Sequence, residues 1–177
     1  MRIAVDGIPA AGREIDLGLR QAWALEAATI ALDRRPDQLE GVITLQKATE
    51  RGAVRVGVRA VASADAPCDR CGEPTRLVSS VDTVLLYGPT ESEGRAFEGE
   101  IELDASELDV GWYTEGQIQL GEVLQEALAL ALPTRVVCAD TEACDKRTDA
   151  LLTPARAESP FSVLLGLVPG RGGKAES

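Results

Sequence analysis

The stretch "CDRCGEP", residues 68–74, governs how this chain closes on itself, because it places two thiols three positions apart. Gly72 directly follows the second thiol, and glycine allows the backbone to turn back sharply at that point. Pro74 then disfavours continuation into a helix. A C-x2-C pair of this kind supplies two of the four ligands of a metal site, so two further ligands must lie elsewhere in the chain.

A second cysteine pair lies in "CADTEAC", residues 138–144, giving the pattern C-x2-C followed at a distance by C-x5-C. Four thiolates are a donor set that suits tetrahedral zinc, and a site with four protein ligands leaves no open position for catalysis. We therefore predict a closed structural zinc site formed by Cys68, Cys71, Cys138 and Cys144.

Two other interpretations of the cysteines stay open. A redox dithiol would use Cys68 and Cys71, but such pairs normally begin a helix, whose dipole lowers the thiol pKa. Gly72 and Pro74 disfavour a helix at that position. The third interpretation is a set of reduced cysteines that bind no metal.

The length and composition predict one main domain with an aliphatic core. The chain has 177 residues, of which 45% are hydrophobic and only 3% aromatic, so Ala, Val, Leu and Ile must fill the core. We expect a single domain over residues 1–168, followed by a disordered glycine-rich tail at residues 169–177.

The strand patterns predict a sheet that is mainly antiparallel. Residues 40–46 and 53–63 form the clearest hairpin, with Val and Arg alternating along the second strand. Residues 75–87 read as a further strand. Near the N-terminus, residues 2–5 and 13–19 read as a short extended pair.

Two or three helices are predicted to pack on this sheet, giving an α+β fold with a four-cysteine zinc-type knuckle. Residues 19–33 are rich in Ala and Leu, and residues 120–133 carry apolar side chains at helical spacing up to Pro133. A short apolar helix is expected at residues 159–168, and the second cysteine pair is expected in a loop.

The charge is unevenly distributed along the chain. The net charge is −11, and residues 82–126 carry twelve acidic residues against a single arginine, which favours a basic protein partner. Residues 47–81 lean positive instead. Nucleic-acid affinity comes largely from Lys and Arg, so the candidate contacts for RNA or another partner are Arg55, Arg59, Arg70 and Arg76.

The chain contains no histidine, which excludes Ser-His-Asp and Cys-His catalytic arrangements, and we predict that it is not an enzyme. No apolar run approaches the roughly 20 residues of a membrane span, and the N-terminus lacks the apolar region of a signal peptide. We therefore predict a cytoplasmic protein without membrane contact. The oligomeric state stays open.

Residues 40–168 resemble the bacterial YceD family, the large ribosomal RNA subunit accumulation proteins. The family typically shows a C-x-R-C-x-x-P element, which matches Cys68, Arg70, Cys71 and Pro74 here. Downstream it carries a step into a helix that ends in Leu-Ala-Leu-Pro, followed by a second cysteine pair. The matching positions of this step and helix end are Ile118, Leu120, Leu130, Ala131, Leu132 and Pro133, with Gln119 where the family usually has aspartate.

The resemblance implies a non-enzymatic factor needed for normal accumulation of large-subunit ribosomal RNA, and hence a role in ribosome assembly. Its partner would be ribosomal RNA or a large-subunit precursor, contacted through the arginines of the positive stretch. The alternative is an acidic module that binds a basic ribosomal protein without touching RNA.

Overall fold

The computed structural model describes residues 1–48, 52–90 and 110–158. Within these residues the chain forms seven strands and three helices. The strands are β1 (Arg2–Ala4), β2 (Arg13–Gly18), β3 (Gln38–Lys47), β4 (Val54–Pro67), β5 (Pro74–Pro89), β6 (Val110–Tyr113) and β7 (Gln117–Gln119). The helices are α1 (Ala22–Leu32), α2 (Leu120–Leu130) and α3 (Thr141–Glu158).

The chain divides into two compact units. Unit 1 comprises Met1–Asp65 and Arg76–Thr134, and unit 2 comprises Ala66–Thr75 and Arg135–Ser177. The single domain predicted over residues 1–168 stays a prediction. The tail predicted at residues 169–177 lies outside the described residues.

The predicted hairpin is confirmed as β3 and β4, which pair antiparallel with Ile43 opposite Val58 and Leu45 opposite Val56. Over its first seven residues β4 alternates between buried and more exposed positions, so Val54, Val56 and Val58 face the core and Arg55 and Arg59 face solvent. Strand β2 pairs antiparallel with the other edge of β3. The order of the five-stranded sheet is β2-β3-β4-β5-β6.

The sheet is mixed, so the prediction of a mainly antiparallel sheet is corrected. Strand β6 runs parallel to β5, with Leu86 opposite Val110 and Pro89 opposite Tyr113. Parallel neighbours need a connection of a dozen or more residues, and residues 90–109 between the two strands provide that length. The α+β class itself is confirmed.

The two N-terminal strands do not pair with each other as expected. Strand β1 pairs antiparallel with β7, with Ile3 opposite Ile118, in a separate two-stranded sheet. Strand β2 joins β3 instead. The short strands carried the right local pattern, but a strand pattern does not specify which partner strand it meets.

Helices α1 and α2 pack against each other and supply much of the core of unit 1. The contact side of α1 is lined by alanines, which leave room for the larger residues of α2. The buried Ser79 of β5 donates a hydrogen bond of 2.7 Å to the carbonyl oxygen of Leu128. This bond satisfies one of the carbonyls that have no partner within the last turn of α2. The largest fully buried side chains are aliphatic, as the composition predicted.

Helix α3 was not predicted, because residues 134–158 read as a loop. It starts at Thr141 and carries Cys144, so the second cysteine pair is split between a loop and a helix. The helix predicted at residues 159–168 lies outside the described residues. No helix in the described part of the chain has both the length and the apolar character needed to span a membrane.

Candidate metal centre

The first half of the centre is a tight turn between β4 and β5. The N–H of Cys68 donates to the carbonyl of Glu73 at 2.8 Å, and the N–H of Gly72 donates back to the carbonyl of Cys68 at 2.9 Å. Gly72 adopts φ +77°, in the left-handed region where side chains other than glycine are strained, as the sequence predicted. The N–H of Arg70 points at the Cys68 sulfur at 3.5 Å. The turn therefore aims a backbone donor at the Cys68 sulfur.

The second half approaches this turn through Val136. Asp69 binds Val136 twice, with its N–H donating to the carbonyl oxygen at 2.8 Å and its carboxylate accepting from the N–H at 2.6 Å. Asp140 then accepts a hydrogen bond of 2.9 Å from the N–H of Ala143 and caps the start of α3. These contacts place Cys138 just before the helix and Cys144 in its first turns.

The four sulfur atoms converge although the two pairs are far apart in sequence. All four lie within 4.8 Å of one another. The Cys68 and Cys144 sulfurs are 3.7 Å apart, and the Cys71 and Cys138 sulfurs are 3.6 Å apart. All four thiols are buried. They are also free of disulfides, since a disulfide would bring two sulfurs to about 2.05 Å.

This arrangement fits a tetrahedral metal ion. A zinc ion about 2.3 Å from each of four tetrahedral sulfurs requires sulfur pairs about 3.8 Å apart, close to both of the distances above. The donor set of four sulfurs favours zinc over calcium or magnesium, which prefer oxygen ligands. The four cysteines could therefore hold zinc in a closed site.

The described part of unit 2 has little else from which to build a core. Among its described side chains, those that are buried are Ala66 and the four cysteines. A cluster this small cannot offset the conformational entropy of ordering two separate chain segments. Metal binding supplies free energy for folding in small domains of this kind, because the site does not exist in the unfolded chain.

The two cysteine pairs differ in the pKa of their thiols. Backbone N–H donors, first that of Cys71, lower the pKa of Cys68 to about 6. The N–H of Glu73 lowers the pKa of Cys71 in the same way. Burial instead raises the pKa of Cys138, and it raises that of Cys144 to about 12. The thiols of the turn thus ionise most readily, and a bound cation would favour ionisation of all four.

Sequence reasoning missed Arg147, which lies on α3 three residues after Cys144. Its Nη2 donates to the Cys138 sulfur at 3.6 Å, and its pKa is raised by its contacts with Cys71 and then Cys138. A helix predicted over these residues would have indicated Arg147, because Cys144 and Arg147 are three positions apart and would then share a helix face. Without that helix, nothing in the sequence associates Arg147 with the cysteines.

The structure gives the four candidate arginines different surroundings. In unit 1, Arg55 and Arg59 are exposed on the same side of β4, and Arg59 forms an ion pair with Asp82 at 3.0 Å. In unit 2, Arg70 forms an ion pair with Asp145 of α3. The Arg55 side chain has no hydrogen bond or ion pair with any described residue, so it is the candidate most available to a partner.

Arg76 has a role within the protein. Its guanidinium binds the carboxylate of Asp37, the carboxylate of Asp65 at 3.0 Å and the hydroxyl of Ser63 at 2.8 Å. It therefore joins β5 to β4 and to the residue that precedes β3. The Arg76 guanidinium also holds the pKa of Asp37 below its usual range, chiefly through the hydrogen bonds between them.

An acidic cavity of about 220 Å³ lies elsewhere in unit 1, lined by residues of α2, β5, β6 and β7. Glu122 and Glu126, one turn apart on α2, line it together with Tyr87. Neither carboxylate has an ion pair with a described residue. The pKa of Tyr87 is raised, first by burial and then by the charges of Glu126 and Glu122. The cavity is thus an electronegative pocket within the acidic segment noted in the sequence.

Comparison with protein-family models gives a match that covers more than half of the chain. The family model described as "Large ribosomal RNA subunit accumulation protein YceD" matches residues 56–167, which include all four cysteines. No curated protein and no solved structure matches the chain significantly.

Proposed function

We propose that this chain is a non-enzymatic cytoplasmic factor that supports accumulation of large-subunit ribosomal RNA. The chain belongs to the YceD family, since the family model matches residues 56–167. The description of the family supports the proposed role in ribosomal RNA accumulation. In this role the chain would contact ribosomal RNA or a large-subunit precursor during ribosome assembly. The four-cysteine centre would hold zinc and act structurally, by stabilising unit 2.

The observation that supports a structural zinc site is the convergence of the four cysteine sulfurs. Their separations suit a tetrahedral ion, and four protein ligands leave no coordination position for a substrate. The position of Cys68 and Cys71 in a turn between strands also supports this function over a redox dithiol, which would normally begin a helix.

Metal analysis of the purified protein tests the zinc site directly. We expect one zinc ion per chain under native conditions, lost on denaturation, and four reactive thiols after its removal. A metal-free native protein would overturn the zinc site. Thiol trapping that finds a reversible disulfide between Cys68 and Cys71 would favour the redox alternative.

The exposed side of β4 is the proposed contact for RNA or the precursor. Arg55 and Arg59 project from it, and the ion pair of Arg59 with Asp82 is solvent-exposed on both sides, so a phosphate could displace the carboxylate at little cost. Arg76 is less suited to this role because its guanidinium is engaged by two carboxylates.

Charge reversal of these arginines tests RNA contact. The variant Arg55→Glu/Arg59→Glu should lose co-sedimentation with large-subunit precursors from cell lysate. The control Arg20→Glu/Arg35→Glu makes the same charge change at exposed arginines outside β4 and should retain it. Equal co-sedimentation of both variants and the parent would overturn contact through β4.

A second candidate function is binding of a basic ribosomal protein without RNA contact. The cavity lined by Glu122, Glu126 and Tyr87 favours it, because two carboxylates that form no ion pair with a described residue lie beside an aromatic ring, and this suits a lysine or arginine side chain. We expect Glu122→Gln/Glu126→Gln to reduce recovery of basic ribosomal proteins from nuclease-treated lysate. The control is Glu14→Gln/Glu40→Gln, at exposed positions of β2 and β3. Undiminished recovery by the α2 variant would exclude this cavity.

A further inference from the structure

The Arg147 guanidinium contacts the sulfurs of the candidate centre without being one of its four candidate ligands. Its Nη2 reaches the Cys138 sulfur at 3.6 Å. Its Nε is fully buried and has no hydrogen-bond partner among the described residues. Arg70 and Lys146, by contrast, form ion pairs with the carboxylates of Asp145 and Glu142. The acceptors that the Arg147 guanidinium reaches among the described residues are the sulfurs of Cys138 and Cys71, so thiolates there would supply its counter-charge.

A partly buried guanidinium is stable only beside an anion, because removing a charge from water is costly without a partner. Neutral thiols are weak hydrogen-bond acceptors and provide no such anion. Four thiolates around a divalent cation carry a net charge of −2, and one guanidinium reduces the total to −1. The position of Arg147 is thus favourable when the four sulfurs are thiolates bound to a metal ion.

We propose that Arg147 is a positioning residue of the metal centre, which offsets thiolate charge and orients the Cys138 sulfur through its N–H donor. It raises the affinity of the site for a divalent cation without being a ligand. This inference rests on the proposed zinc site. Groups that hydrogen-bond metal ligands typically change metal affinity by about 10–100-fold when they are replaced.

Competition with a chelator for Zn²⁺ tests the proposal on the full chain. The variant Arg147→Gln keeps a polar side chain but removes the charge, and we expect its Zn²⁺ affinity to fall by about 10–100-fold. The control Lys146→Gln makes the same charge change at the neighbouring residue, whose ammonium is exposed and pairs with Glu142 at 2.9 Å. It should stay within about twofold of the parent, as expected for a surface ion pair.

Two further measurements separate this role from a purely structural one. With Co²⁺ as the probe, the absorption bands of the thiolate complex should shift in Arg147→Gln and stay unchanged in Lys146→Gln. The variant Arg147→Lys keeps the charge but loses the planar donor, so its affinity should lie between those of the parent and Arg147→Gln. If Arg147→Gln does not fold, Arg147→Lys must still bind Zn²⁺ more weakly than Lys146→Gln does.

The outcomes distinguish this proposal from the metal site on which it rests. A parent chain that binds neither Zn²⁺ nor Co²⁺ would overturn both. A parent that binds metal while Arg147→Gln has unchanged affinity and spectrum would overturn the role of Arg147 alone. Equal affinity of Arg147→Lys and Arg147→Gln would show that charge compensation is not the cause.

Discussion

The sulfur atoms of Cys71 and Cys138 lie 3.6 Å apart although the two residues are 67 positions apart in the chain. The turn after β4 supplies one of them, and the loop before α3 supplies the other. Closing a chain segment of this length has an entropic cost, so a metal ion that holds its two ends together would stabilise the folded state.

Serine in place of Cys71 or Cys138 should abolish zinc binding and destabilise the protein more than any surface change. Metal binding contributes roughly 10 kcal/mol or more in zinc fingers, and a hydroxyl is a poor replacement for a thiolate. Metal content and thermal melts would be compared with those of Val137→Ser, an exposed neighbour of Cys138 that is not a ligand. A cysteine variant with the melting curve of the parent would contradict the prediction.

Removal of the metal should unfold unit 2 and leave unit 1 folded. The described residues of unit 2 bury little besides the four cysteines, whereas those of unit 1 bury many aliphatic side chains of its strands and helices. Hydrogen exchange with and without a chelator would measure this. We expect the amides of Gly72 and Cys144 to lose protection and those of Ile43 and Val58 to keep it. Uniform loss across both units, or none in unit 2, would argue against it.

Replacement of Gly72 with Ala should weaken metal binding through the backbone. At φ +77° a side chain costs about 1 kcal/mol, although a Cβ at this position would meet no atom within 4 Å. Gly116→Ala is a matched control, since Gly116 has φ +67° and equally open space but lies in unit 1. Both variants should be slightly less stable, and only Gly72→Ala should bind Zn²⁺ more weakly. Equal metal affinities would show that the turn tolerates alanine.

Replacement of Asp37 with Asn should lower stability at neutral pH and have no effect in strong acid. The Arg76 guanidinium lowers the pKa of Asp37 in the folded state, so the ionised carboxylate stabilises the fold above its ordinary pKa of about 3.9. That contribution disappears as the pH falls through the lower folded pKa.

Melting temperatures of the parent and Asp37→Asn would be compared near pH 7 and in acid below the lowered folded pKa of Asp37, where the carboxyl is protonated. The difference should be a few degrees at the higher pH and close to zero at the lower one. Asp16→Asn provides the control, because the Asp16 carboxylate is exposed and has no ion pair with a described residue. A difference between the parent and Asp37→Asn that persists in acid would mean that charge is not its source.

The sequence alone determined the local features of this protein. Alternating valines and arginines specified β4, apolar spacing that ends at Pro133 specified α2, and glycine after the second cysteine specified the turn at Gly72. These features follow from the conformational preferences of neighbouring residues, which a short stretch of sequence displays in full. The order of the motifs also identified the family.

Only the tertiary structure decided which distant segments meet. Strand β6 lies parallel to β5, β1 pairs with β7, and Arg147 approaches the Cys138 sulfur, and none of these contacts leaves a local pattern. The sequence of helix α3 is mainly polar and therefore lacks a strong apolar stripe, and it contains Pro154, a residue that usually argues against a helix. Its first turns are instead fixed by the cap at Asp140, and the chain before it is held by Asp69, far away in the sequence. Long-range pairing depends on packing and hydrogen bonds that exist only once the chain is folded. The clustering of the four cysteines could therefore be predicted from their spacing, but the neighbours of the cluster could not.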